Sequence, residues 1–252
     1  MTMNRFDLSG KVAIVTGAST GLGKGMSLGL AEAGADLVLV DYVSSAETAE
    51  EIKAMDRKAI TIVADLMNIG PIQSIVNETI RTFGKVDVLV NNAGIIRRTP
   101  AIDFSEKDWD DVMAINSKTV FFFCQAVAHD MMKRKYGKII NISSLLAFQG
   151  GILVPSYAAS KGAVAQVTKA LANEWAQHGI TINAIAPGYM ATNNTKALRE
   201  DPIRSKTILD RIPAGRWGIP DDLKGPVIFL ASQASDYMNG HVLVVDGGWM
   251  AR

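Results

Sequence analysis

The chain has 252 residues, 48% of them apolar and 20% charged, with a net charge of +1: material for an extended core, and no electrostatic case for binding nucleic acid or an anionic membrane. A single cysteine, Cys124, excludes an internal disulfide, and His129, His178 and His241 lie too far apart for metal-ligand spacing, so no metal is expected. No apolar run approaches the roughly 18 residues of a membrane span, and the start lacks the h-region of a signal peptide, so the expected setting is soluble and cytoplasmic.

The first candidate strand, Val12–Thr16, runs into Gly17-Ala18-Ser19-Thr20-Gly21-Leu22-Gly23, with a helical pattern over 23–33. Glycines there let backbone approach a ligand, and the free N–H groups and dipole of the following helix favour a pyrophosphate. A second strand, 36–40, delivers Asp41, whose carboxylate can accept hydrogen bonds from an adenosine ribose. No Lys or Arg lies in the glycine turn to offset a 2′-phosphate beside that charge, so the residues favour NAD over NADP. Helix 46–55 and strand 59–64 bring Asp65 and Leu66 to the same edge, where Asp65 could meet an adenine amino group. Helix 71–83 and strand 86–90 lead to Asn91-Asn92-Ala93-Gly94, small enough for adenine and ribose to lie flat; Asn91 either meets them or braces the turn.

Helix 109–133 contains Val120-Phe121-Phe122-Phe123, apolar around more of its girth than one sheet-facing stripe requires. Cys124 follows directly, and these surroundings suggest an inert buried thiol. Strand 138–142 ends in Ser143-Ser144, and helix 155–178 opens with Tyr157-Ala158-Ala159-Ser160-Lys161. Tyr and Lys four apart share a helix face, and an ammonium near a phenol stabilises the phenolate, moving proton exchange toward neutrality. Strand 181–186 precedes 188–218, a stretch with no strand pattern whose place near the carboxyl edge suits a substrate lid. Helix 221–232 and strand 241–245 complete the chain, and Gly34, Gly84, Gly137 and Gly179 are expected helix caps. Seven apolar, β-branched runs alternating with helices predict a single-domain α/β fold: a Rossmann-type, doubly wound, parallel seven-stranded sheet buried on both faces by helices.

The glycine turn, Asn91-Asn92-Ala93-Gly94, Asn116, Ser144, Tyr157, Lys161 and Pro187-Gly188 with Thr192 together resemble the short-chain dehydrogenase/reductase family, in order and spacing, over the whole chain. The resemblance implies Tyr157 as general acid or base, Lys161 lowering its pKa and binding the nicotinamide ribose, and Ser144 hydrogen-bonding the reacting oxygen. It also implies that Asn116 bends its helix to hold a proton-relay water and that Thr192 meets the nicotinamide carboxamide. The expected cofactor site then comprises Gly17, Ser19, Thr20, Gly21, Leu22, Gly23, Asp41, Asp65, Leu66, Asn91, Ala93, Gly94, Tyr157, Lys161, Pro187, Gly188, Met190 and Thr192.

Within the family, the segments 91–98, 104–111, 186–195 and 246–252 are most similar to the branch acting on sugar acids in uronate breakdown. A sugar acid needs a carboxylate partner, and Arg97 or Arg98 can offer a bidentate guanidinium, with Ser144 and Tyr157 at the reacting oxygen; the same arginines could equally be solvated. A gluconate 5-dehydrogenase, a 3-oxoacyl-thioester reductase and, from another class, a non-catalytic NAD-binding sensor are the alternatives. The apolar surplus on helix 109–133, the C-terminal strand and Trp249 point to a homotetramer, an expectation the resemblance partly carries.

Overall fold

The computed structural model describes residues 5–252. Its strands are β1 (Val12–Thr16), β2 (Asp36–Asp41), β3 (Ala59–Val63), β4 (Val88–Asn91), β5 (Gly137–Ile142), β6 (Ile180–Pro187) and β7 (Val242–Val245). They pair in parallel throughout, in the order β3-β2-β1-β4-β5-β6-β7. The helices are α1 (Gly21–Glu32), α2 (Ala46–Lys53), α3 (Ile72–Phe83), α4 (Glu106–Met113), α5 (Thr119–Arg134), α6 (Pro155–Trp175), α7 (Lys196–Glu200), α8 (Pro202–Leu209) and α9 (Lys224–Ala231).

Strand side chains alternate between faces, so each run divides its apolar residues between two cores. Ala13, Val15, Leu37, Leu39, Val88 and Val90 pack with α1, α2 and α9 on one face. Ile14, Val38, Val40, Leu89 and Ile139 pack with α3, α5 and α6 on the other. Each such Leu or Ile removed from water contributes roughly 1.5–3 kcal/mol before the entropy of ordering is set against it. Burial on both faces holds for the central strands only. β3 and β7 are the edges, where Val63 is 62% and Val244 37% exposed.

Three other expectations change. The helix predicted over 109–133 is α4 and α5 joined by a π turn, Ala114–Lys118, a local widening that hydrophobic periodicity does not register. Gly34, Gly84 and Gly179 take left-handed conformations at helix ends, but Gly137 is the first residue of β5, and Lys135 (φ 53) turns the chain instead. The segment 188–218 holds the short helices α7 and α8; Asp201 caps α8 by accepting from Ile203 N and Arg204 N, with Pro202 in its first turn. Among the described residues, no helix is long and apolar enough to cross a membrane.

At the amino edge, Asp87 ties the sheet to α5. Its carboxylate, 1% exposed, accepts from Val12 N at 3.0 Å and pairs with Arg134 and Lys85, each at 2.9 Å. Removing it leaves the buried Val12 N–H without its acceptor and Lys85 without this partner, while Arg134 keeps Asp130 at 2.8 Å. Asp87→Ala should therefore lower unfolding free energy by roughly 2–4 kcal/mol in urea titrations; a loss near zero would contradict this role.

Candidate active site

Sheet order reverses between β1 and β4, and the crevice above that reversal is framed by two turns. Gly17 (φ 67) and Gly21 (φ 57) are left-handed, and a Cβ on Gly23 would collide with the Gly17 carbonyl, so the turn needs glycine at these positions. Asn92 clamps it, donating through Nδ2 to the carbonyls of Thr16 at 2.9 Å and Gly17 at 3.1 Å. In return the Thr16 hydroxyl accepts from Asn92 N at 3.0 Å and Ala93 N at 2.9 Å. α1 starts from Thr20 with no side-chain cap and no acidic residue in its first turn, leaving N–H groups to face an anion. Asp41 accepts from Ser19 N at 2.8 Å and Tyr42 N at 2.7 Å, which orients its carboxylate at the end of β2.

A cavity of about 590 Å³ follows this edge from Asp41, Asp65 and Leu66, past Gly21 and Ala93, to Lys161. A glycine cradle, an open helix start and a carboxylate at the far end fit a dinucleotide. Ser19, Thr20, Leu22, Gly94 and Thr192 also line it, with Thr192 packed against Gly21. Five expected members, Gly23, Asn91, Pro187, Gly188 and Met190, do not line it; Gly23 is buried behind the turn. Asn91 is 4% exposed and donates to Asn141 Oδ1 at 2.9 Å and Cys124 Sγ at 3.3 Å, so its side chain braces β4 against β5 and α5 while Asn92 faces the cleft. Met190, 5% exposed, packs its side chain into the core beside α1 and α9. Pro187 and Gly188 line a second cavity instead. Burial pushes the Cys124 thiol up to about 12, which makes it a poor nucleophile.

The second cavity, also about 590 Å³, meets the first at Tyr157, which lines both. Three elements place that phenol. α6 carries it, Ser144 at the end of β5 lies within hydrogen-bond reach of it, and the π turn supports it from below. Asn116, fully buried in that turn, holds Ile95 by both backbone groups, at 2.8 Å and 2.9 Å, and donates to Ser160 Oγ at 3.2 Å. Ser160 in turn donates to the Tyr157 carbonyl at 2.8 Å. Gly94 makes room for this, since a Cβ there would stand 2.9 Å from Asn116 Oδ1.

Lys161 is 5% exposed, and its Nζ donates to the Ile142 carbonyl at 2.6 Å. With no carboxylate beside it, burial pulls its pKa down to about 8. Burial raises the Tyr157 pKa, opposed by the Ser144 hydrogen bond and then by the Arg98 charge. Lys161 is not among the opposing groups: its Nζ sits 5.5 Å from the centre of the Tyr157 ring, held by the strand carbonyl. Arg98 is thus a contributor to the phenol's environment that the Tyr-Lys spacing did not reveal.

The two adjacent arginines separate. Arg97 turns to the first cavity and pairs with Asp108 at 3.2 Å, so it is not free for a substrate carboxylate. Arg98 lines the second cavity and donates to the Asn194 carbonyl at 2.9 Å. Segment 188–218 covers that cavity with Leu198 and Ile208 among its contacts, and a bridge between Met190 and Gly218 closes its base.

The short chain dehydrogenase family profile matches residues 11–203. The chain is 60% identical to the 2-dehydro-3-deoxy-D-gluconate 5-dehydrogenase of Dickeya dadantii, with 100% of both chains covered. A structure from Agrobacterium tumefaciens, provisionally described as a 2-deoxy-D-gluconate 3-dehydrogenase with bound NADP, is 50% identical with a TM-score of 0.93, covering 99% of this chain and 100% of that one. A gluconate 5-dehydrogenase from Burkholderia cenocepacia, in complex with NADP and tartrate, is 41% identical with a TM-score of 0.96 and covers 100% of both chains. The chain belongs to the short-chain dehydrogenase/reductase family.

Proposed function

We propose that this oxidoreductase interconverts a secondary hydroxyl and a ketone on a sugar acid, with NAD as cofactor and 2-dehydro-3-deoxy-D-gluconate 5-dehydrogenase chemistry as its reaction in uronate breakdown. The observation that carries the reading is Tyr157, shared by the cleft above the glycine turn and a second cavity that also contains Ser144 and arginines with no carboxylate partner among the described residues. The likeness to sugar-acid dehydrogenases at 60% identity supports the substrate class.

When bound, the nicotinamide supplies or accepts the hydride at the substrate carbon. Tyr157 takes the proton from the hydroxyl in the oxidative direction and returns it to the ketone oxygen in the reductive one. Ser144 donates a hydrogen bond to that oxygen and steadies the phenol. Lys161 keeps one N–H on the Ile142 carbonyl and has donors left for a ribose diol at the cleft wall. Asn116 fixes Ile95 and, through Ser160, the first turn of α6, with the π turn as the basis for a proton-relay role. Arg98 is the assigned carboxylate partner, in place of Arg97. Segment 188–218 acts as the substrate lid.

NAD is favoured because the adenosine end of the cleft carries Asp41 and Asp65 and, among the described residues, no cation. The nearest lysine on α1, Lys24, is held by Glu47 at 2.6 Å and Glu51 at 2.8 Å. A 2′-phosphate would meet Asp41 unscreened. Two structural relatives hold NADP, so the preference rests on this chain's own residues.

A homotetramer in the cytoplasm completes the proposal. Phe121 and Phe122, half-buried in edge-to-face contact at 5.2 Å on α5, and the exposed edge of β7 supply apolar surface for it. Trp249 does not, being 4% exposed and packed within its own chain. Sedimentation of a monomer at micromolar concentration would remove this part.

Keto- and hydroxy-sugar acids followed by NADH absorbance test the reading, and no turnover of any of them would overturn it. On the preferred substrate, Tyr157→Phe should lower kcat by roughly 10²–10⁴, with NADH affinity nearly unchanged; full activity would remove Tyr157 from proton transfer. NAD should exceed NADP in kcat/KM at least tenfold, about 1.4 kcal/mol, and equal constants would contradict the Asp41 argument.

A further inference from the structure

The second cavity has a charge imbalance that the reacting groups do not use. Among the described residues three arginines line it, Arg98, Arg204 and Arg211, and no aspartate or glutamate does. Arg204 and Arg211 are on or just beyond α8, seven positions apart, with Thr207 and Ile208 between them at the same wall. Arg204, Thr207 and Ile208 share one face of α8, and Arg211, in the turn two residues beyond its end, continues that wall. The nearby acids are engaged elsewhere: Asp210 with Lys206, Glu200 with Lys196, Asp222 with Arg216, and Asp201 as the cap of α8.

Arg211 is also held in place. Its guanidinium lies 4.0 Å over the ring of Trp249, which is 4% exposed and fixed by Tyr189 at 4.6 Å and by a bond from its Nε1 to Gln149 at 3.3 Å. Stacking occupies the flat face of a guanidinium and leaves its planar N–H fork for a carboxylate. Solvated arginines on an exposed helix are the competing account. One feature opposes it at Arg211: its guanidinium is seated over a buried indole, a place that a freely solvated side chain does not hold.

We propose that Arg211, stacked on Trp249, and Arg204 form with Arg98 the receptor for the substrate carboxylate, so that the lid helix carries the selectivity for acids over neutral sugars. Binding the acid would draw α8 toward the cavity and help close it over Tyr157. This inference rests on the sugar-acid reading above.

The test compares the sugar acid that wild-type enzyme prefers with its neutral amide, in wild type, Arg211→Lys, Arg211→Gln and Arg204→Gln. Cofactor binding by NADH fluorescence reports that each variant is folded. The acid-over-amide ratio of kcat/KM should fall at least tenfold in Arg211→Gln, chiefly through KM, and less in Arg204→Gln. Arg211→Lys should recover part of it, since it restores charge without the fork. An unchanged ratio in both Gln variants, with wild type preferring the acid, would overturn the receptor and leave the sugar-acid reading standing. Wild type showing no preference for the acid would overturn both.

Discussion

The active site depends on burying one ammonium without a counter-charge. Lys161 projects from α6 under the cleft and meets a strand carbonyl, Ile142, rather than a carboxylate. A carboxylate there would hold the lysine more firmly, but it would also set a negative charge against the cleft and repel a deprotonated tyrosine. A carbonyl orients the group and leaves its charge to act in the cleft. The cost falls on stability. With the folded pKa near 8 and the ordinary value at 10.5, the unfolded chain holds a proton between those values that the folded chain has released. Stability from this group therefore rises with pH across that window, and the burial penalty is complete below it.

That placement requires β5, α6 and the crevice to be fixed relative to one another, and polar side chains at strand ends do this. Asn92 binds the β1 and β4 turns together, Asn91 and Asn141 link β4 to β5, and Asn141 reaches Thr168 on α6. Asn116 adds the last tie, from the π turn through Ser160 to the backbone of Tyr157. Amides suit this work because each offers both donors and an acceptor without adding charge to a site whose electrostatics turn on Lys161 and Arg98.

Much of this was legible in the chain. Seven β-branched runs separated by helix-length segments point to a parallel sheet, because strands covered on both faces are apolar throughout; the edge strands β3 and β7 carry the same pattern with Val63 and Val244 exposed. The Tyr157 and Lys161 spacing, the glycine turn and Asp41 stand out as local patterns, and the structure brings all of them to one cleft. What escaped detection depends on contacts distant in sequence. Which of Asn91 and Asn92 faces the cleft is a matter of strand register at β4. The separation of Arg97 from Arg98 depends on Asp108 in α4, and the burial of Trp249 depends on Arg211 and Tyr189 from segment 188–218. The helix α8 had a local signal in Asp201-Pro202, a capping residue followed by a first-turn proline, that could have been read.

The central claim, an unpaired and easily discharged ammonium beneath Tyr157, is open to direct titration. Lysines labelled with carbon-13 at Cε report their own protonation by NMR, and the spectrum of Lys161→Met identifies the resonance of Lys161. The account predicts a midpoint near 8 for Lys161, well below the ordinary lysine value of 10.5. A Lys161 that titrates at the ordinary value would contradict it.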